Sequence, residues 1–299
     1  MELKLLGPGF AAEVRGMALT DVAASEAAYA AVRAAFEEHS VLLFRDQLIG
    51  TGTDFNERQA AYSRCFGTLE IAKAASLGEG TPYSILTNLD RATGALVPDN
   101  HKEALRAKAN QLWHTDSSFK IPPALASVLS ARTIPATGGE TEFTSMRRAW
   151  ARLPEASRAR FSESYAWHDY AHSRGKIAPQ LASERERATM PPVSWRMRWR
   201  NPVNGHDSLY VASHTCAIDG MATEAAQALI AELIAGATRP EHTYLHRWRA
   251  GDVVMWDNRA ALHRGHPWPA GEPRHMVRTT ISASDADGLA AMWPVRHAA

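Results

Sequence analysis

The sequence predicts a mainly β fold with flanking helices. Several short apolar runs, bounded by Pro and Gly, are typical of strands. Three or four other segments carry apolar residues at helical spacing. The strands and helices are scattered along the chain with no internal repeat and no Ser-rich linker. Since β-rich folds of 299 residues often remain undivided, we expect a single domain over residues 1–299.

The first third of the chain predicts two helices around one buried strand. Residues 25–39 place apolar side chains three and seven positions apart, with Ser25 as the N-cap. The run Val41–Phe44 is typical of a buried strand, and Phe55–Phe66 predicts a helix that ends at Gly67.

Two long segments lack clear periodicity. Residues 74–108 mix Gly, Pro, Asn and charged residues, and residues 171–206 are polar and rich in Arg. Long irregular loops in compact domains are often lids or binding segments, so we expect both to be lid or insert loops.

The other predicted elements are four strands and two helices. The strands cover residues 113–119, 126–131, 253–256 and 277–281. The helices cover residues 147–162, with a break at Pro154, and residues 223–237.

Composition excludes several classes of partner. Lys plus Arg total 33 against 32 for Asp plus Glu, and this balance predicts no nucleic-acid partner. The two cysteines cannot make a disulfide framework or a cysteine-based zinc site. We see neither a secretory signal nor an apolar run long enough for a membrane span, so we expect a cytoplasmic protein without a membrane partner. Whether it forms a homo-oligomer stays open.

The stretch WHTDSSF, residues 113–119, predicts part of a metal site. In a strand, His114 and Asp116 would point to the same side. One neutral nitrogen and one anionic oxygen suit a divalent cation such as Fe(II). A lone His-x-Asp is more often an ordinary polar pair, and a third ligand is needed. His263, after a strand and a turn at Asp257-Asn258, is the candidate.

A second group of polar residues lies on the last predicted strand. Arg274, Met276, Arg278 and Thr280 would share one strand face. Two guanidiniums without adjacent acids predict a wall that binds carboxylates, and surface salt bridging is the alternative.

Three motifs resemble the Fe(II)/2-oxoglutarate dioxygenases of the taurine dioxygenase family. They are WHTDSSF, GGETEF at residues 138–143 and WDNRAALHRG at residues 256–265. Their order and spacing agree with that family from the first helix to Ile281. The longer stretches ANQLWHTDSSF, MPPVSW and HRWRAGDVVMWDNRAALHRG are most similar to its herbicide-degrading branch, which oxidises 2,4-dichlorophenoxyacetate.

The resemblance implies a double-stranded β-helix, the jelly-roll or cupin-like barrel, with Fe(II) as metal, 2-oxoglutarate as cosubstrate and O2 as oxidant. It implies that His114, Asp116 and His263 form the 2-His-1-carboxylate triad. Thr141 and Arg274 match residues that hold the distal carboxylate of 2-oxoglutarate. Arg278 matches an arginine that faces the substrate anion or the inner end of the cosubstrate. The implied substrate-binding residues are Asn110, Ser117 through its backbone amide, Lys73, His214 and Arg278.

The resulting hypothesis is an oxygenase for a small anionic aromatic substrate. Hydroxylation of an aryloxyalkanoate beside the ether oxygen would give a phenol and glyoxylate, with succinate and CO2. One alternative is a sulfonate or alkyl-sulfate dioxygenase of the same family. Another is a metal-binding jelly-roll protein without catalysis. A zinc hydrolase is disfavoured because no general base for a zinc-bound water is evident.

Overall fold

The computed structural model describes residues 1–47, 53–72, 76–98 and 100–294. Within these ranges the strands are β1 (Glu2–Leu6), β2 (Ala11–Arg15), β3 (Val41–Phe44), β4 (Ser84–Thr87), β5 (Ala124–Thr133), β6 (Thr141–Ser145), β7 (Tyr165–His168), β8 (Val193–Arg196), β9 (Arg198–Arg200), β10 (Asp207–Leu209), β11 (Thr215–Ile218), β12 (Thr243–His246), β13 (Val253–Asp257), β14 (Ala261–Gly265) and β15 (His275–Ser282).

The α-helices of the same ranges are α1 (Leu19–Ala24), α2 (Glu26–His39), α3 (Thr53–Arg64), α4 (Lys102–Ala109), α5 (Met146–Arg152), α6 (Glu155–Ser162), α7 (Tyr170–Gly175), α8 (Glu184–Thr189) and α9 (Thr223–Ala237). Short 3-10 helices cover Pro179–Leu181, Pro240–His242, Asp285–Asp287 and Leu289–Met292. None of the helices in the described ranges is long and apolar enough to cross a membrane.

The main sheet has seven strands in the order β1-β2-β3-β13-β5-β15-β4. Neighbouring strands are antiparallel except β2 and β3, which are parallel. A smaller antiparallel sheet has the order β12-β6-β14. Strands β11-β7-β8 and β10-β9 form two further small sheets. The predicted combination of mainly strands with helices is confirmed.

Both faces of the main sheet are covered, and alternate side chains of each strand serve the two faces. On one face Phe44 of β3 meets Tyr62 of α3, with 5.6 Å between ring centroids. On the other face Trp256 of β13 meets Phe143 of β6, again at 5.6 Å. Strands buried on two faces are apolar throughout, which explains why these runs are recognisable in the sequence.

A buried ion network ties α2 to the turn after β13. Arg259 Nε lies 2.9 Å from Asp257 Oδ1, and its Nη2 lies 2.8 Å from Glu37 Oε2. Arg147 Nη2 lies 2.9 Å from Asp257 Oδ2. Removing one partner of such a buried pair is far more costly than losing a surface pair. The network therefore fixes the turn that leads into β14.

Three element predictions need correction. Residues 113–119 are not a strand: His114 makes one isolated bridge, and a turn follows. Residues 74–108 contain β4 and α4, and residues 171–206 contain most of α7, a short 3-10 helix, α8 and two strands. These elements are short and mixed in polarity, so their sequences lack the periodicity that identifies buried elements.

Candidate metal centre and cavity

Three predicted ligands come together beside β14, the outer strand of the β12-β6-β14 sheet. One donor atom each from His114, Asp116 and His263 lies within 4.8 Å of the others, and all three residues are about 95% buried. The backbone brings the histidines together: His114 N donates to His263 O at 3.0 Å, and His263 N donates to His114 O at 2.8 Å. The predicted convergence of these residues is confirmed.

Asp116 reaches the histidines through a turn and not through strand alternation. The bridge to β14 ends at His114, and residues 116–119 form a turn in which Ser117 has φ +53°. A positive φ is uncommon for a residue with a side chain and often marks a functional segment. This turn directs the carboxylate of Asp116 toward the two imidazoles.

The ionisation states suit a metal site. His114 Nδ1 donates to Leu112 O at 2.7 Å, which leaves Nε2 as the free donor atom. Burial lowers the pKa of both imidazoles, so they are neutral with a lone pair available. Burial alone would raise the pKa of Asp116, but the Arg278 guanidinium and the two imidazoles outweigh it and hold that pKa well below its usual range. Two neutral nitrogens and one carboxylate fit a cation such as Fe(II).

Asn258 holds the segment that carries Asp116. Its Oδ1 accepts from Asp116 N at 3.1 Å, and its carbonyl accepts from Thr115 Oγ1 at 2.7 Å. Its Nδ2 donates to Ser127 Oγ at 3.0 Å, and Ser127 Oγ donates to Asp116 Oδ2 at 2.7 Å. Asn258 lies in the turn that leads into β14 and His263, as expected, and the same residue also supports the segment that carries Asp116. Such outer contacts orient ligands and raise metal affinity.

The sequence did not indicate that Ser127 and Trp248 contact residues of the site. Ser127 interrupts the apolar run of β5, which is the signal that could have identified it. Trp248 Nε1 donates to Thr141 Oγ1 at 3.0 Å. The tryptophan therefore fixes the hydroxyl of a predicted cosubstrate residue.

Arg274 is a buried cation without a counterion. It is 8% exposed, and its Nη2 donates to Gly139 O at 3.2 Å. No carboxylate of the described residues lies within 4.0 Å of its guanidinium, and its Nε has no acceptor there. Burial lowers its pKa to about 10. Since an unpaired buried charge is costly, this side chain is suited to an anionic ligand. Thr141 lines the same cavity.

The remaining predicted residues meet different outcomes. Arg278 lines the cavity, and its Nη1 lies 2.5 Å from Asp116 Oδ1, so one of the two guanidiniums already contacts an acid that is distant in sequence. Asn110, Ser117 and His214 also line the cavity. The Ser117 hydroxyl donates to Glu70 Oε2 at 3.0 Å. Lys73 lies outside the described residues.

The two predicted lid segments contribute unequally to the cavity, whose volume is about 210 Å³. From residues 74–108, an apolar group lines it: Leu77, Pro82, Ile85, Leu86 and Ala107. From the described part of residues 171–206, Arg174 alone does so. Much of that segment forms elements of its own, and α8 with its flanks borders a second hollow, which shares Ile71, Phe119 and Lys120 with the first.

Comparison with known proteins is consistent with this geometry. Residues 2–280 match the model of the family described as taurine catabolism dioxygenase TauD, TfdA family. The alpha-ketoglutarate-dependent 2,4-dichlorophenoxyacetate dioxygenase of Burkholderia sp. (strain RASC) is 36% identical over 279 residues, covering 92% of each chain. The (S)-phenoxypropionate/alpha-ketoglutarate-dioxygenase of Sphingobium herbicidovorans is 32% identical, covering 94% of each chain. The crystal structure of AAD-2 in complex with Mn(II) and N-oxalylglycine has a TM-score of 0.86 at 32% identity, covering 95% of this chain and 98% of that chain.

The triad makes a first prediction. His114→Ala, Asp116→Ala and His263→Ala should each abolish stoichiometric binding of Fe(II) or Mn(II), because each removes one of three donors. Anaerobic metal titration followed by calorimetry measures this, with circular dichroism to verify the fold. The exposed His206 gives the control His206→Ala, which should bind metal normally. Metal binding by Asp116→Ala at wild-type affinity would contradict the assignment.

Asn258 makes a second prediction. Asn258→Ala should weaken metal affinity by about 10–100-fold, the range seen when outer contacts to ligands are removed. Asn258→Asp keeps the oxygen that accepts from Asp116 N but loses the donor to Ser127. Its metal affinity should therefore lie between those of the wild-type protein and Asn258→Ala. The same titration decides the point, and equal affinities for all three proteins would show that Asn258 does not orient Asp116.

Proposed function

This chain belongs to the taurine catabolism dioxygenase TauD, TfdA family and is an Fe(II)/2-oxoglutarate-dependent dioxygenase, and we propose that its substrate is an aryloxyalkanoate such as 2,4-dichlorophenoxyacetate. Hydroxylation of the carbon beside the ether oxygen gives a hemiacetal, which releases a phenol and glyoxylate. The observation that carries this proposal is a cavity in which several cations, among them the buried Arg274, and an apolar wall lie around the triad. The named activities of the two relatives support the same substrate class.

For the fold, we infer that the main sheet and the β12-β6-β14 sheet are the two halves of a double-stranded β-helix, the jelly-roll or cupin-like barrel. Their shared core, which includes Phe143 and Trp256, supports this arrangement. We further infer one dioxygenase domain over residues 1–299. The triad then lies at one open end of the barrel, where the cavity begins.

The residues at the centre fit the metal and the cosubstrate. His114, Asp116 and His263 would hold Fe(II), leaving positions for the keto oxygen and the adjacent carboxylate of 2-oxoglutarate. Arg274 and the hydroxyl of Thr141 would hold its distal carboxylate, which would account for a buried Arg274 with no counterion among the described residues. AAD-2 binds N-oxalylglycine, which carries the same two terminal carboxylates as 2-oxoglutarate, and this likeness supports the assignment. When bound, the metal and cosubstrate supply O2-dependent oxidation of a C–H bond, with release of succinate and CO2.

The protein's own task is to position and to shield. Leu77, Pro82 and Ile85 offer an apolar surface for an aromatic ring. Asn110 and His214 line the same cavity and would contact the substrate, as would the backbone amide of Ser117. Holding the ring and the anion together fixes the carbon between them, which is how an enzyme directs an oxidation to one C–H bond. Arg278, already in contact with Asp116, would meet the inner end of the cosubstrate.

A sulfonate or alkyl-sulfate dioxygenase is the second candidate. Cations near the metal would bind a sulfonate or sulfate as well as a carboxylate. The family is described by taurine catabolism, which favours this alternative. The apolar wall distinguishes the two, because taurine has no ring to place against it.

Arg274 makes a third prediction. Arg274→Ala should weaken 2-oxoglutarate binding by roughly 2–5 kcal/mol, on the order of 30-fold or more, because a buried charge pair loses one partner. Thr141→Ala should cost about 1 kcal/mol, as for one hydrogen bond. Anaerobic calorimetry of 2-oxoglutarate binding measures both. The exposed Arg200 supplies the control Arg200→Ala, and an Arg274→Ala curve that overlays that control would refute the role.

The substrate class makes a fourth prediction. Purified enzyme with Fe(II), 2-oxoglutarate and O2 should form phenol and glyoxylate from phenoxyacetate and its chlorinated relatives. Parallel reactions with taurine and an alkyl sulfate, scored by succinate release, provide the comparison. Turnover of the sulfur compounds without any phenol from the aryloxy acids would overturn the proposed class while leaving the dioxygenase identity intact.

A further inference from the structure

The charged side chains around the cavity leave two cations unpaired. Three carboxylates line the cavity, and each has a cationic partner within 2.6 Å: Glu70 with Lys120, Glu103 with Arg106, and Asp116 with Arg278. By contrast, Arg174 and Arg274 have no carboxylate within 4.0 Å in the part of the chain that the structure describes. In the proposed function, Arg274 pairs with the distal carboxylate of 2-oxoglutarate, so the Arg174 guanidinium remains available for another anion.

Arg174 belongs to a wall that leads to the metal ligands. It extends from α7, with its guanidinium carbon 4.9 Å from the centroid of the Tyr170 ring. Its Nε is shielded from solvent and has no acceptor among the described residues. The Tyr170 ring lies 5.0 Å from that of Phe119, which lies 4.8 Å from that of His214. Because the His214 ring is 6.1 Å from that of His114, this wall connects Arg174 to the triad.

His214 is the second feature of this wall that calls for a ligand. It is 2% exposed, and neither ring nitrogen has a hydrogen-bond partner in the described chain. A neutral imidazole has one N–H donor and one acceptor nitrogen to satisfy. Buried polar groups in proteins are almost always paired, so an unpaired one in a cavity points to a bound molecule or water.

We propose that Arg174 binds the carboxylate of the substrate together with His214, and that Arg174 is therefore the residue that selects anionic substrates. This inference rests on the proposed function. A charged, planar donor and a neutral N–H are a suitable pair for one carboxylate. Arg278 offers less free charge to this carboxylate, because its Nη1 already pairs with Asp116. The aromatic ring then lies toward the apolar wall of Leu77, Pro82 and Ile85.

The test compares a charged ligand with a neutral one of the same shape. Phenoxyacetate and 2-phenoxyacetamide are titrated by calorimetry into enzyme loaded with Mn(II) and 2-oxoglutarate. Arg174→Gln should weaken phenoxyacetate binding on the order of 30-fold, the loss expected for a charged partner in a desolvated site, and should change amide binding little. Arg174→Lys keeps the charge and should retain part of the affinity. Arg187→Gln is the matched control, since Arg187 bonds Pro179 O and does not line the cavity.

Unchanged 2-oxoglutarate affinity in Arg174→Gln shows that the site is intact. If wild-type enzyme converts phenoxyacetate but Arg174→Gln binds it as tightly as Arg187→Gln does, the role of Arg174 is overturned and the proposed function stands. Equal weakening of acid and amide also overturns it, because the effect would then be structural. If wild-type enzyme accepts taurine or an alkyl sulfate and no aryloxy acid, the proposed substrate class fails, and the carboxylate assignment fails with it.

Discussion

The pair of backbone hydrogen bonds between His114 and His263 is the contact on which the site depends. It joins the segment around His114 to β14, which lies near the end of the chain, and so sets the separation of the two imidazoles. Asp116 follows from it, since the turn at Ser117 starts from the bridged residue. Behind the bridge, the buried network of Arg259, Asp257 and Glu37 fixes the turn that leads into β14. The ligands are therefore held in place by the backbone and by the polar contacts around them.

The cavity contains buried polar groups that lower the stability of the folded protein and are suited to binding a ligand. Arg274 has no counterion in the described chain, and His214 has no hydrogen-bond partner there. Each such group is unfavourable when buried, and proteins keep strained or unsatisfied groups mainly at functional sites. A ligand that satisfies them binds only the folded state and therefore stabilises it by mass action. The unliganded protein should accordingly be the less stable form.

The sequence was most informative where one residue type has few uses. The triad residues were identifiable, as were the apolar strands buried on two faces, and the family resemblance pointed to Thr141 and Arg274, which line the same cavity. The contact between Arg278 and Asp116 was not, because it depends on how β15 meets a turn that sequence alone predicts as a strand. Arg174 was also missed, because it lies in a polar segment with many arginines and nothing in its neighbours distinguishes it. Tertiary contacts between distant segments decide such cases.

Strand β4 lies at the end of the main sheet, and β15 is its partner strand in the described chain. The same edge supplies Ile85 and Leu86 to the cavity, whereas the metal ligands come from elsewhere. An edge strand has a neighbour on one side, so changes in its side chains disturb few other elements. Evolution can therefore reshape this part of the cavity wall while the residues of the triad stay constant. Diversification of substrates within such a lineage is then expected to be concentrated in this strand.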